Sequence, residues 1–262
     1  TPESKFEDPI DIATGAHVIS NILIKLFAGQ RLTLKANYNS SKLTNGSLGV
    51  GWSHNYEKHI TTNGSTITVY ESPSTYNVYW ACEGSNIYTC NATTKNGYTL
   101  TVANDEEYPY CLNCNKERLE YFNAEGNLAK VVNHHGFVTL IAYGDNIITI
   151  TDTITGKHIF IEKNSTGKII RVYDDNNRET ILTYCNDYLI NICDVMGNSL
   201  TYSYDVDGRI QSGTDSRGIR YFENTYDSEG RIVSQKDGEN SPASTITYGT
   251  HYLGEKRILK NR

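Results

Sequence analysis

Six cysteines and seven histidines are the residues of this 262-residue chain whose types could do chemistry. Cys111-Leu112-Asn113-Cys114 is a CxxC pair, and Cys82 and Cys90 could complete a set of four ligands for a structural zinc. The spacing inside the Cys82/Cys90 pair is too long for a usual zinc knuckle. Ahead of zinc stand disulfides within this group, if the chain is exported to an oxidising place, and reduced buried thiols. Cys185 and Cys193 flank a tight Asn186-Asp187 turn that would set Cys185 opposite Tyr188. Cys193 would then lie several residues along the ladder, too far for a bond that needs Cα atoms within about 7 Å.

The histidines do not assemble into a site. His134 and His135 are adjacent before Gly136, and neighbours on an extended chain point opposite ways. His54 lies beside Trp52, where a hydrogen bond to a backbone carbonyl would be structural. Asp8, Asp11 and His17 could suggest a metal, but loop carboxylates are common. No Gly-x-Ser-x-Gly elbow and no phosphate-binding glycine loop occurs. The expectation is therefore no catalytic residue, no cofactor and no metal. Asn-x-Ser/Thr at Asn39, Asn45, Asn63, Asn91 and Asn164 matters only in a glycosylating host. A net charge of −6 and a pI near 5.7 argue against a nucleic-acid footprint. No apolar run approaches the length of a membrane-spanning helix.

The elements that would carry any such residues announce themselves by repetition. Tyr204-Asp205-Val206-Asp207-Gly208-Arg209-Ile210 returns as Tyr226-Asp227-Ser228-Glu229-Gly230-Arg231-Ile232. Tyr121-Phe122-Asn123-Ala124-Glu125-Gly126-Asn127-Leu128 is a weaker copy. Thr214-Asp215-Ser216-Arg217-Gly218 and Asp194-Val195-Met196-Gly197-Asn198 form an alternate unit between copies. Such units cannot bury their apolar faces alone, so they stack. Glycine after an acidic residue marks a hairpin, because glycine takes a positive φ without a steric penalty. The aspartate can bond turn amides, and the tyrosine and isoleucine would meet across the hairpin as an aromatic and β-branched pair.

The Tyr-Asp-x-x-Gly-Arg-Ile pattern resembles the YD repeat of RHS proteins, which have teneurins as animal relatives. Asp8-Pro9-Ile10-Asp11-Ile12-Ala13-Thr14-Gly15 is similar to the opening of the RHS amino-terminal module. Tyr38-Asn39-Ser40 followed by Leu48-Gly49-Val50-Gly51-Trp52-Ser53-His54-Asn55-Tyr56 resembles its second signature. The resemblance covers nearly the whole chain and is weakest at 70–115. It implies a long spiralling β-sheet forming a hollow shell, which in bacterial members commonly encloses a toxic carboxy-terminal domain. Trp52, His54, Tyr204, Asp205, Gly208, Tyr226, Asp227 and Gly230 are its structural signature here. No counterpart of the family's aspartate-based self-cleaving segment is visible.

The expected fold is all-β: an extended, twisted antiparallel sheet of stacked YD-repeat hairpins, part of a spiralling β-shell. Tyrosine, threonine, isoleucine and asparagine abound, no stretch has helical periodicity, and turn signals recur about every ten residues. The expected division is an amino-terminal module at 1–75, an irregular cysteine-containing β segment at 76–115 and a YD-repeat array at 116–262. Early strands are read at 16–26 and 30–38 around Ala28-Gly29, with a loop at 39–52. The pattern still runs at Thr245 to Tyr248, so 240–262 is expected to be the least protected part unless covered. Two function classes follow. The first is a non-catalytic segment of a secreted or cell-surface shell, with neighbouring repeats or its own carboxy-terminal cargo domain as partner. The second is an adhesin whose tyrosine-rich strand faces hold a glycan or a surface protein.

Overall fold

The computed structural model describes residues 10–11, 13–27, 31–250 and 256–261, with side chains excluded at 249–250 and 256–261. Asp8, Ile12 and the Ala28-Gly29 turn lie outside the described residues. Among the described residues the chain is strand and turn throughout, broken by a single 3-10 turn at Thr93–Lys95. The all-β architecture follows from the sequence pattern: β-formers at alternating positions, punctuated by Asn, Asp and Gly.

The chain divides into two compact units. One comprises 22–35 and 54–179. Its strands form a meander in which each pairs antiparallel with the next, from His59–Asn63 through Thr66–Ser72 and Thr75–Ala81 to Ile169–Asp174. Alternation decides which face is covered: in Ile147–Asp152 the residues Ile148, Ile150 and Asp152 are buried and their neighbours are not. The cysteine-bearing stretch supplies Ile87–Thr89, Tyr98–Val102 and Tyr110–Cys114 to this same meander. The last two are strands that no strong alternation announces.

The other unit comprises 1–21, 36–53 and 180–262. Here too the hairpins follow one another, Tyr188–Cys193, Ser199–Tyr204, Ile210–Thr214, Arg220–Tyr226, Ile232–Lys236, Ala243–Thr250 and Lys256–Asn261. The early strands run Val18–Phe27 and Arg31–Asn39, and both pass from one unit into the other. The stretch expected to be a plain loop holds a miniature hairpin, Asn45–Gly46 with Gly49–Val50, and the strand Trp52–His54. Two glycines in positive φ, Gly49 and Gly51, allow the tight path.

Candidate functional site

The repeat turns are built by one acidic oxygen each. In the second unit described above, Asp205 Oδ1 accepts from the amides of Asp207 (3.0 Å) and Arg209 (2.8 Å). Asp227 Oδ1 accepts from Glu229 (3.0 Å) and Arg231 (2.9 Å). Gly208 and Gly230 sit at φ +82° and +78°, the left-handed region that closes the turn. The same oxygen pattern recurs at Asp194 and Asp215, and in the other unit at Asn133, Asn164 and Asp174. An Asx side chain, not aspartate specifically, is what the turn requires.

Each YD-type hairpin then breaks register by one residue, between Ser203 and Tyr204 and between Thr225 and Tyr226. A bulge leaves backbone groups outside the regular ladder. The residues concerned, Ile210 and Ile232, are fully buried, so their polar groups need partners. Tyrosine hydroxyls from the next repeat serve the carbonyls: Tyr226 donates to Ile210 O at 2.7 Å and Tyr248 to Ile232 O at 2.6 Å. Tyr204 does the same for Leu189 O at 2.7 Å. The spacing of the repeat tyrosines is thus the spacing of these bonds.

The amides are served by the amino-terminal module. The Ile210 N–H donates to the Tyr38 hydroxyl at 2.9 Å, and the Ile232 N–H to the Gly15 carbonyl at 3.0 Å. The Val50 N–H reaches the Asp187 carbonyl at 3.0 Å in the preceding turn. Gly15 has no room for a side chain, since a Cβ would lie 2.7 Å from the Tyr248 hydroxyl and 2.9 Å from Arg231 Cβ. The result is a clamp that grips three alternate turns of the array.

Trp52 is the centre of that clamp. It is 1% exposed, with Tyr38 and Tyr202 rings at 5.3 and 5.4 Å. Its indole N–H donates to the Tyr204 hydroxyl at 3.1 Å. His17 is buried against Phe222 (ring centroids 4.7 Å apart) and Tyr38 (6.1 Å). Its amide donates to Ser40 Oγ at 2.8 Å, and its carbonyl accepts from the Ser40 amide at 2.9 Å. Asn224 and Gln235, both buried, join at 3.1 Å on the same array. Burial raises the pKa of Tyr38, Tyr204 and Tyr226, so their hydroxyls stay protonated and remain available as donors.

The other unit also has the device. Its hairpin shifts register between Tyr121 and Phe122, and the Leu128 N–H donates to the Lys58 carbonyl at 3.2 Å. The Tyr143 hydroxyl donates to Leu128 O at 2.8 Å. Beside it, Lys58 Nζ lies 2.6 Å from Glu71 and 2.8 Å from Glu120, while Lys95 meets Glu71 and Arg118 meets Glu120 at 2.6 Å. Each of the three cations is thus paired with one or both of the two carboxylates. Burial lowers the pKa of His54, and its Nδ1 accepts from the Tyr56 amide at 3.3 Å. That replaces the backbone carbonyl the sequence suggested, because the chain turns back at Asn55-Tyr56 and brings an amide, not a carbonyl, to the ring.

The cysteines are all unbridged. The register sets Cys111 opposite Tyr121 and Cys114 opposite Tyr98, and Cys185 opposite Tyr188 with Cys193 across from Ile181. Burial pushes the Cys114 thiol up to about 12. No trio of potential metal ligands gathers among the described residues. The rings of His134 and His135 lie 3.7 Å apart at the turn before Gly136, where the chain is not extended. Sequence reading named Trp52 and the turn residues but gave no clamp role to Gly15, Tyr38 or Ser40. Their signal was present in the Thr-Gly and Tyr-Asn-Ser segments, whose partners lie more than 150 residues away.

A family model described as a domain of unknown function, DUF6531, matches residues 7–78. Those residues include Gly15, Tyr38 and Lys58, which serve the three freed amides. No curated protein matches. Among solved structures, the chain is similar to one described as TcdB2-TccC3-Cdc42, at 15% identity and a TM-score of 0.36, covering 94% of this chain and 14% of that one. A second, TcdB2-TccC3 without its hypervariable carboxy-terminal region, matches at 11% identity and a TM-score of 0.31, covering 84% of this chain and 13% of that one. The chain therefore spans a small part of the length of either. No helix among the described residues is long and apolar enough to cross a membrane.

Proposed function

We propose that this chain is a non-catalytic structural segment of a secreted or cell-surface RHS-type shell, which encloses or presents a carboxy-terminal, toxin-like domain. The observation that carries the reading is the clamp: the amino-terminal segment spends its polar groups on backbone amides that successive repeat bulges release. Such bonds lock a repeat sheet and offer nothing to a substrate. The mutually paired charges of Lys58, Lys95, Arg118, Glu71 and Glu120 and the high-pKa Cys114 thiol argue the same way. The test uses the full-length gene product and limited proteolysis. Any domain that follows residue 262 should resist protease in the parent and become cleavable when Trp52→Ala loosens the clamp. Equal cleavage in both proteins would reject enclosure.

One observation favours the adhesin reading as second choice. A cleft of about 580 Å³ lies between Tyr108 and Tyr143, with Asn123, Glu125 and Asn127 on its rim. Aromatic faces with side-chain amides suit a sugar ring. A Tyr143→Phe variant that keeps the ring, set against Asn127→Ala, would separate glycan capture from simple packing in a glycan-array measurement.

A further inference from the structure

Among the described residues, His17 is a clamp residue whose side chain has no polar partner. It is 0% exposed, and neither ring nitrogen has a hydrogen-bonding group among the described residues. Its backbone is tied to Ser40 in both directions, two residues from the Gly15 carbonyl that holds the Ile232 amide. The ring therefore sits inside the joint between the amino-terminal segment and the repeats, wedged against Phe222 and Tyr38.

We propose that His17 is a proton-operated latch: acid frees the segment around residues 13–17 from the repeat turns because the charged ring has no place in the closed joint. This rests on the clamp geometry and holds whether or not the chain encloses a cargo. The groups that face the ring decide the direction. From Arg31–Asn39 comes Tyr38, and from Arg220–Tyr226 come Phe222 and, through Ser40, Tyr226. The tyrosines are neutral, so none offers a counter-charge. Asp227 is committed to Arg231 at 2.7 Å, and Asp11 Oδ1 to the Ala13 amide at 2.9 Å. Burial alone holds the His17 pKa down at about 3.

The sign follows. A histidine whose pKa is lower in the closed state than in the open one binds more protons when open. Its neutral form favours closure fully above an open-state pKa near 6.5, and that preference is lost as pH falls toward about 3. Over that window the opening equilibrium rises about tenfold per pH unit. Carboxylates complicate the lower end, since Asp227 and Asp215 also have lowered pKa values and protonate there. The interval from about pH 6 to about 4.5 belongs to histidine.

The experiment is hydrogen exchange on the intact chain, read as protection factors so that the intrinsic pH dependence of exchange cancels. The His17, Ser40 and Ile232 amides should lose about tenfold protection per pH unit across that interval. His17→Phe, which keeps an aromatic wedge, should flatten the slope, and His17→Gln serves if the phenylalanine variant fails to fold. His54, buried in the other unit, is the control: His54→Gln should leave the slope at these three amides unchanged. A slope that survives both His17 variants, or no slope in the parent, overturns the proposal.

Discussion

Two sets of turns in the same repeat array share one construction and differ in what they touch. Asp205–Arg209 and Asp227–Arg231 are closed by an Asx oxygen and a glycine at positive φ, and so are Asp194–Asn198 and Asp215–Ile219. After the first pair come Ile210 and Ile232, wholly buried and bonded through both backbone groups. In the second pair the residues at the same position are polar and not buried, Ser199 half-buried and Arg220 exposed. A Cβ on Gly208 would meet the Tyr188 hydroxyl at 2.6 Å, whereas one on Gly218 would meet nothing. Local turn chemistry is thus a common part, and the contact made by the residue beyond it decides whether a turn is a joint or an end.

The largest effect expected from breaking this contrast is at Trp52. Trp52→Ala empties the middle of the clamp and orphans the Tyr204 bond, so chemical denaturation should show a loss of about 3–5 kcal/mol. An unchanged midpoint would show that Trp52 does not hold the clamp together. Next come the two glycines. Gly218→Ala should cost about 1 kcal/mol, the backbone penalty alone, and Gly208→Ala should cost distinctly more because Tyr188 must move. Equal losses in thermal melts would erase the distinction between joint and end. The smallest is Tyr226→Phe, which removes one hydroxyl from the Ile210 carbonyl and should cost about 1–2 kcal/mol. A neutral result would show that water replaces the tyrosine there.

These comparisons also mark what can be read from the chain alone. The hairpins, their Asx and glycine positions and the facing of Tyr204 with Ile210 are legible, since all are set by neighbours within a few residues. Glu179–Cys185 and Tyr188–Cys193 pair as the Asn186-Asp187 turn requires. The service of the Ile210 amide by Tyr38 is not legible, because nothing near either residue encodes a partner 172 positions away. The same holds for the pairing of Asn21 with Tyr202 at 2.7 Å, 181 positions apart. Tyr98–Val102 escaped for a different reason: strand alternation there is carried by Leu100 as its single buried residue. The close approach of the His134 and His135 rings, tilted at 45°, escaped because the turn position alone does not fix how adjacent side chains converge.

The distance between Tyr38 and Ile210 has a consequence for how the protein is made. A ribosome adds roughly 5–20 residues per second, so the amino-terminal segment waits on the order of ten to thirty seconds for the repeat it will grip. During that interval Trp52, Tyr38 and Leu48 have no lasting burial, and the early hairpins can find wrong edges to pair with. Biogenesis of this chain should therefore depend on a holding chaperone more than its small, local turns suggest. A slowed stretch of translation before residue 210 would lengthen the hazard, and one after residue 232 would be harmless.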